Sequence, residues 1–122
     1  MCNAEEIPLE SNSIDTIICT DVFEHVENEM NLVGEISRLL PVGGQLLLAT
    51  PWEQDLSVYE TEEYITKYKK YDFVHLRSVN DDLIKKCFPN FSMNSSTIIN
   101  IGMKHMKLKP YPLKFMNMEK KY

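Results

Sequence analysis

Asp21, Glu24 and His25 fall within one short stretch, Thr20-Asp21-Val22-Phe23-Glu24-His25-Val26, and all three side chains can do chemistry. An imidazole titrates near neutrality and can take a proton from a hydroxyl nucleophile. A carboxylate four positions before it can hold an amine or orient a substrate, and it serves equally well as a cap or turn residue. Two carboxylates and one imidazole can also hold a divalent ion, with His75 or His105 left to complete the shell. Against these stands a plainer reading, in which His25 is a structural ring bonded to a loop carbonyl. We expect no resident metal.

Cys19 and Thr20 immediately precede this stretch, and Asn3 and Ala4 lie in the polar segment that opens the chain. Trp52, Glu53 and the tyrosines that follow are candidate substrate-side contacts, although aromatics at this density often fill a local core. His75 and Arg77 are read as a structural bridge between that segment and a later helix.

These residues need a scaffold, and the hydrophobic pattern supplies one. Ile14 to Thr20 is a β-branched run suited to a strand covered on both faces. From Asn28 to Leu40 the apolar residues Met30, Val33, Ile36, Leu39 and Leu40 recur at helical spacing, with Glu35 and Arg38 able to pair at i,i+3. Pro41 stops the helix and Gly43-Gly44 makes the turn. Gln45 to Thr50 is a second apolar strand. Strand, helix and strand make a parallel, right-handed crossover, and such sheets bind ligands at the carboxyl ends of their strands. Here those ends are Cys19–Asp21 and Thr50–Trp52.

Residues 52–71 read as an insertion or lid, helical from about Glu62 to Lys70. Ser78 or Asn80 can cap a short helix that reaches Cys87 or Phe88 before Pro89. Phe91 to Met103 is strand-like, and His105 to Lys109 alternates like an edge strand. Pro110 and Pro112 are expected to end the regular structure, so residues 110–122 read as a tail, mobile from Lys114 to Tyr122.

The 122 residues suffice for one small core, and a net charge of −5 disfavours nucleic acid or an anionic membrane as partner. The basic residues between Lys104 and Lys121 read as solvated strand-edge positions. Three widely spaced cysteines, Cys2, Cys19 and Cys87, form neither a disulfide framework nor a zinc spacing, which fits a cytoplasmic setting. No apolar run approaches the ~20 residues of a membrane span.

Taken in order, several short patterns resemble class I S-adenosylmethionine-dependent methyltransferases of the type 11 group. They are Asn3-Ala4 with Ile7-Pro8, Ile14-Asp15, Phe23-Glu24-His25-Val26, Glu35-Ile36-Ser37-Arg38 and Pro41-Val42-Gly43-Gly44. The His75-Leu76-Arg77-Ser78 segment is similar to a later element of such domains. The resemblance implies an α/β chain with a partial Rossmann-like fold: a parallel βαβ core and an antiparallel closing strand. It implies S-adenosylmethionine as cofactor and a small-molecule methyl acceptor. Asn3 and Ala4 would hold the adenine. Cys19, Thr20 and Asp21 would meet the methionine end, and His25 would act as general base. The segment Asp21-x-x-Glu24-His25 is also similar to the Glu-x-x-Glu-His metal site of small-RNA and ubiquinone-type O-methyltransferases, with Asp in the first place.

One departure from the family pattern bears on cofactor binding. The four glycines, Gly34, Gly43, Gly44 and Gly102, make no Gly-x-Gly loop, and no acidic residue is placed to bind the ribose. We therefore expect residues 1–109 to be the carboxyl-terminal part of a methyltransferase domain that begins after its third strand, with little cofactor affinity by itself. The alternative is an inactive methyltransferase-like interaction domain, self-associating through the exposed edge of its first strand.

Overall fold

A computed structural model describes residues 2–67, 74–101 and 111–122. The elements are β1 (Thr16–Thr20), α1 (Glu29–Leu39), β2 (Gln45–Pro51), a 3-10 turn (Leu56–Glu60), α2 (Glu62–Lys67), α3 (Asp81–Cys87), β3 (Phe91–Ile101) and β4 (Tyr111–Lys120). The strands form one sheet in the order β1-β2-β4-β3. β1 and β2 are parallel, with Cys19 opposite Leu48 and Thr20 opposite Ala49. β4 runs antiparallel to both β2 and β3. The expected parallel crossover with antiparallel closure is the fold observed.

One boundary is corrected. Residues 110–122 are not a tail: β4 occupies most of them and lies between β2 and β3. Its pattern Leu113, Met116, Met118 turns inward, and all three side chains are buried. The prolines at 110 and 112 suggested an end to regular structure. Pro112 is instead tolerated opposite Asn100 at the end of the ladder, where one fewer donor costs little. The edge strand expected at His105–Lys109, and the part of the insertion from 68 to 71, lie outside the described residues.

α1 forms because Asn28 caps it, its side-chain oxygen accepting from Met30 N and Asn31 N. Its buried stripe is Leu32, Val33, Ile36 and Leu39, and the first three share a core with Cys19 of β1 and Leu46 and Leu48 of β2. Met30, expected in that stripe, is 46% exposed, and Leu32 is buried instead. Gly43 adopts φ +86, a conformation that favours glycine, and its N–H donates to Lys120 O. Lys120 Nζ donates to Ser37 O and Leu40 O at 2.7 and 2.8 Å, so β4 also supplies the cation at the end of α1.

The Glu35–Arg38 pair does more than brace one helix. Arg38 grips both carboxylate oxygens at 2.9 Å and donates to Leu9 O and Ile7 O, while Glu35 Oε2 accepts from Ile7 N. The pair ties the opening segment to α1. These bonds hold the Glu35 carboxyl well below its ordinary range, at about 2.

α1 and α3 contribute to a core with Phe23, Leu46, Leu48, Trp52, Val79 and Met116 on one side of the sheet. The opposite side carries Ile18, Leu47 and Phe115, which stay exposed. Among the described residues no helix is long and apolar enough to cross a membrane.

Candidate functional site

β1 ends at Thr20, and the chain turns there through Asp21, whose φ of +53 is uncommon for a side-chain-bearing residue and tolerated best by Asn and Asp. Asp21 N still donates to Ala49 O, so the turn stays attached to the end of β2. The following residues coil tightly, with His25 N and Val26 N both donating to Val22 O. Phe23 drops into the core with no exposed surface and meets Phe88. Glu24 is thereby carried inside, and His25 is left at the rim.

Glu24 is 1% exposed. One oxygen, Oε2, accepts from Thr50 Oγ1 at the end of β2, at 3.3 Å. The other, Oε1, is buried with no hydrogen-bond partner. Burial pushes this carboxyl above its ordinary range, and the nearby Asp21 carboxylate adds to the push. Sequence reasoning had named Glu24 but could not tell that it faces inward.

Two histidines fifty positions apart meet above Glu24. The His25 and His75 rings pack edge to face, 4.8 Å between centroids. His25 Nδ1 lies 3.1 Å from Val74 O, and His75 Nδ1 contacts Gln54 Oε1. Both partners are acceptors, so in the neutral rings both Nδ1 atoms carry the hydrogen and both Nε2 atoms keep a lone pair. Gln54 is oriented by its own Nε2, which donates to Tyr59 Oη at 3.5 Å. Tyr59 and Tyr111 flank His75 at centroid distances of 5.6 and 6.0 Å. Burial, with His25 beside it, lowers His75 to about 4, so its ring is neutral at neutral pH.

Arg77 holds this arrangement together. Its guanidinium donates to Phe23 O, Val26 O and Glu27 O, pairs with Glu29 at 3.4 Å and lies 5.9 Å from the Phe23 ring centroid. It was expected to bridge the insertion to the later helix. It instead clamps the loop that carries Glu24 and His25. Thr50 was named only as part of a strand end, and Gln54 and Tyr111 were not singled out, because each is brought to the site by a loop or strand distant in sequence. The His75-x-Arg77 spacing was the only sequence signal for the clamp.

The remaining candidates sit nearby or elsewhere. Cys19 is buried, and burial pushes its thiol up to about 11, so its side chain is inert and only its backbone is available for contact. Thr20 and Asp21 are exposed at the same strand end. Asn3 sits in a turn, its Oδ1 accepting from Glu5 N, and Ala4 packs against the core. Glu5 in turn accepts from Asn28 N, tying this turn to the start of α1. Trp52 is buried, with Lys114 Nζ 3.9 Å from its ring centroid, so its indole is core and not free for substrate.

Residues 1–48 match the family model described as "Methyltransferase domain". Solved structures align over nearly the whole chain. A protein of Bacillus halodurans C-125 assigned as a methyltransferase superposes with a TM-score of 0.72, at 16% identity, over 99% of this chain and 70% of its own. The chain carries the fold of the class I methyltransferases. A SAM-dependent methyltransferase from Methanosarcina mazei gives 0.68 at 13% identity, over 98% of this chain and 65% of its own. One from Thermotoga maritima gives 0.65 at 18% identity, over 98% and 62%. The chain therefore spans about two thirds of the length of these relatives. No curated protein sequence matches it. Within the methyltransferase fold, the Asp21–His25 loop lies at the carboxyl ends of the parallel strands, where such sheets bind their ligands.

Proposed function

We propose that this chain forms the acceptor side of an S-adenosylmethionine-dependent methyltransferase acting on a small-molecule nucleophile. The observation that carries the reading is the Asp21–His25 loop. It is pinned by Arg77 at the end of the parallel pair, with Glu24 beneath and the His25 lone pair at the rim. Methyl transfer is an in-line displacement, so positioning supplies most of the catalysis, and a base is needed when the nucleophile is a hydroxyl. The Nε2 of His25 is suited to accept that proton. Asn3 and Ala4 are assigned to the adenine, and the backbone of Cys19, Thr20 and Asp21 to the methionine end.

No Gly-x-Gly loop occurs in the 122 residues, so little or no cofactor affinity is expected of the chain by itself. Titration of the labelled chain with S-adenosylhomocysteine, followed by amide NMR, tests this. Weak shifts confined to Asn3, Ala4 and residues 19–21 are the expected result. Micromolar binding would overturn the incomplete-pocket reading, and shifts elsewhere would overturn the residue assignment. The three free cysteines, two of them buried, suit a cytoplasmic setting.

A second reading is an inactive interaction domain. It is favoured by β1, which pairs only with β2 among the described residues and exposes Ile18 at 69%. A concentration-independent monomer in sedimentation would count against it.

A further inference from the structure

We propose that Glu24, His25 and His75 form a binding site for a primary ammonium group, so that the methyl acceptor is a small primary amine with an aromatic substituent. The acceptor role rests on the methyl-transfer reading; the ammonium site itself does not.

Spacing decides what kind of cation fits. One Glu24 oxygen and one nitrogen from each imidazole lie within 4.8 Å of one another. Three acceptors around an ammonium nitrogen, each ~2.9 Å away along a tetrahedral N–H, stand ~4.7 Å apart. The ligand atoms of a tetrahedral metal shell with ~2.1 Å bonds stand only ~3.4 Å apart, so an ion asks for a tighter cluster than this one. The donor count matches as well, because a primary ammonium carries three N–H donors and no acceptor. Glu24 Oε1 is buried without a hydrogen-bond partner, an expensive position for a carboxylate oxygen that no donor or cation meets. Its second oxygen is held by Thr50 Oγ1, which fixes the carboxylate plane. Each neutral imidazole spends its Nδ1 hydrogen on an acceptor, Val74 O for His25 and Gln54 Oε1 for His75, and leaves Nε2 to accept.

The surroundings define the rest of the ligand. Arg77 does not neutralise Glu24, since its guanidinium is spent on Phe23 O, Val26 O and Glu29. Burial lowers His75 to about 4, so at neutral pH that ring adds no competing charge. Tyr59 and Tyr111 meet the His75 ring at 5.6 and 6.0 Å between centroids. Burial, with the Asp21 and Glu24 carboxylates beside it, pushes the Tyr111 phenol up, so this ring stands in the field of both acids. Aromatic faces next to a carboxylate hold a cation, and an aryl substituent extends their edge-to-face packing. Asp21 and His25 are exposed at the rim, so the entrance carries negative charge that draws a cation in.

The same count sets a preference among amines. Each methyl replaces one N–H, so a methylated product leaves one of the three acceptors unmet and binds less well than the substrate. An ammonium must also give up a proton before its nitrogen has a lone pair to act as nucleophile. His25 Nε2, on the solvent side, takes that proton and becomes an imidazolium, while Glu24 and His75 hold the two N–H groups that remain.

The test uses the full 122-residue chain at neutral pH and four probes that share a benzyl group: benzylamine, N-methylbenzylamine, benzyltrimethylammonium and benzyl alcohol. Amide NMR follows each titration. Benzylamine is expected to bind once per chain, with shifts at residues 24–25 and 74–77. N-methylbenzylamine should bind severalfold more weakly. The other two should bind at least tenfold more weakly, because one lacks N–H donors and the other lacks charge. Glu24→Gln should weaken benzylamine at least tenfold and leave benzyl alcohol unchanged. The probe series on the unaltered chain decides the matter even where that variant fails to fold. No saturable benzylamine binding, or benzyltrimethylammonium binding as tightly as benzylamine, would overturn the proposal. So would displacement of benzylamine by S-adenosylhomocysteine, since the ammonium would then be the cofactor's own. S-adenosylhomocysteine shifts at residues 3–4 and 19–21 without benzylamine binding would sink the amine and spare the methyl-transfer reading. Benzylamine binding with S-adenosylhomocysteine shifts elsewhere would sink that reading and spare the ammonium site.

Discussion

Arg77→Met keeps an apolar stem beside Phe23 and deletes the guanidinium. In the folded chain that guanidinium donates to Phe23 O and Val26 O at 2.5 and 2.6 Å, to Glu27 O at 3.3 Å, and it pairs with Glu29 at 3.4 Å. Hydrogen bonds to a charged group contribute about 1.5–3 kcal/mol each, but bonds that share one donor group are not additive. The Glu29 pair, with its carboxylate 29% exposed, adds at most ~1 kcal/mol. We expect Arg77→Met to lose about 3 kcal/mol in urea unfolding at neutral pH, with the denaturant slope unchanged. Arg77→Lys should recover less than half, because an ammonium cannot span two carbonyls with a planar fork. Hydrogen exchange gives the local readout: the amides of His25 and Val26, both bonded to Val22 O, should lose protection before those of β2. A loss below about 1 kcal/mol, or full recovery with Lys, would refute the clamp.

Three further outcomes follow, two at the same site and one at β4. His75 titrates at about 4 in the fold against an ordinary 6.5, so it contributes stability that is complete above pH 6.5 and lost as pH falls toward 4. The ring is only half-buried, so we discount the full shift and expect of order 1–2 kcal/mol. His75→Gln should flatten the stability profile in that window, and an unchanged slope would refute it. Glu24 has the opposite sign. Its raised pKa gives stability that is present below 4.5 and lost as pH rises through the folded value. Deleting residues 111–122 removes Leu113, Met116 and Met118, whose burial contributes about 4–9 kcal/mol together. That is comparable to the whole stability of a domain this size, so the shortened chain should show no cooperative unfolding by near-ultraviolet dichroism. A sharp transition would show β4 to be dispensable.

Much of the scaffold is legible in the residues themselves. β1, α1, the Gly43 turn and β2 follow from local signals: a β-branched run, helical spacing, a proline stop and a glycine free to take positive φ. α3 follows from Asn80, whose side chain accepts from Leu83 N, and from the acidic first turn. The strand at 111–120 was misread because Pro110 and Pro112 mask its alternation. Only pairing on both sides, to β2 and β3, makes it a strand. Glu35 and Arg38 were seen as a helix pair, but their grip on Ile7 and Leu9 depends on where the chain enters.

The candidate site divides the same way. The sequence by itself determined that Asp21, Glu24 and His25 follow the first strand, because adjacent residues stay adjacent in any fold. It determined that the strands are parallel, because the connection between them is a helix. Only the tertiary structure decided which of the three faces inward. Phe23 fills the core, so Glu24 is carried in with it while Asp21 stays outside. Only the tertiary structure brought His75 to His25, because that contact spans fifty residues and depends on Arg77 and Gln54 docking against the loop. Local propensity carries no information about such a meeting; burial and hydrogen-bond satisfaction across the sheet do.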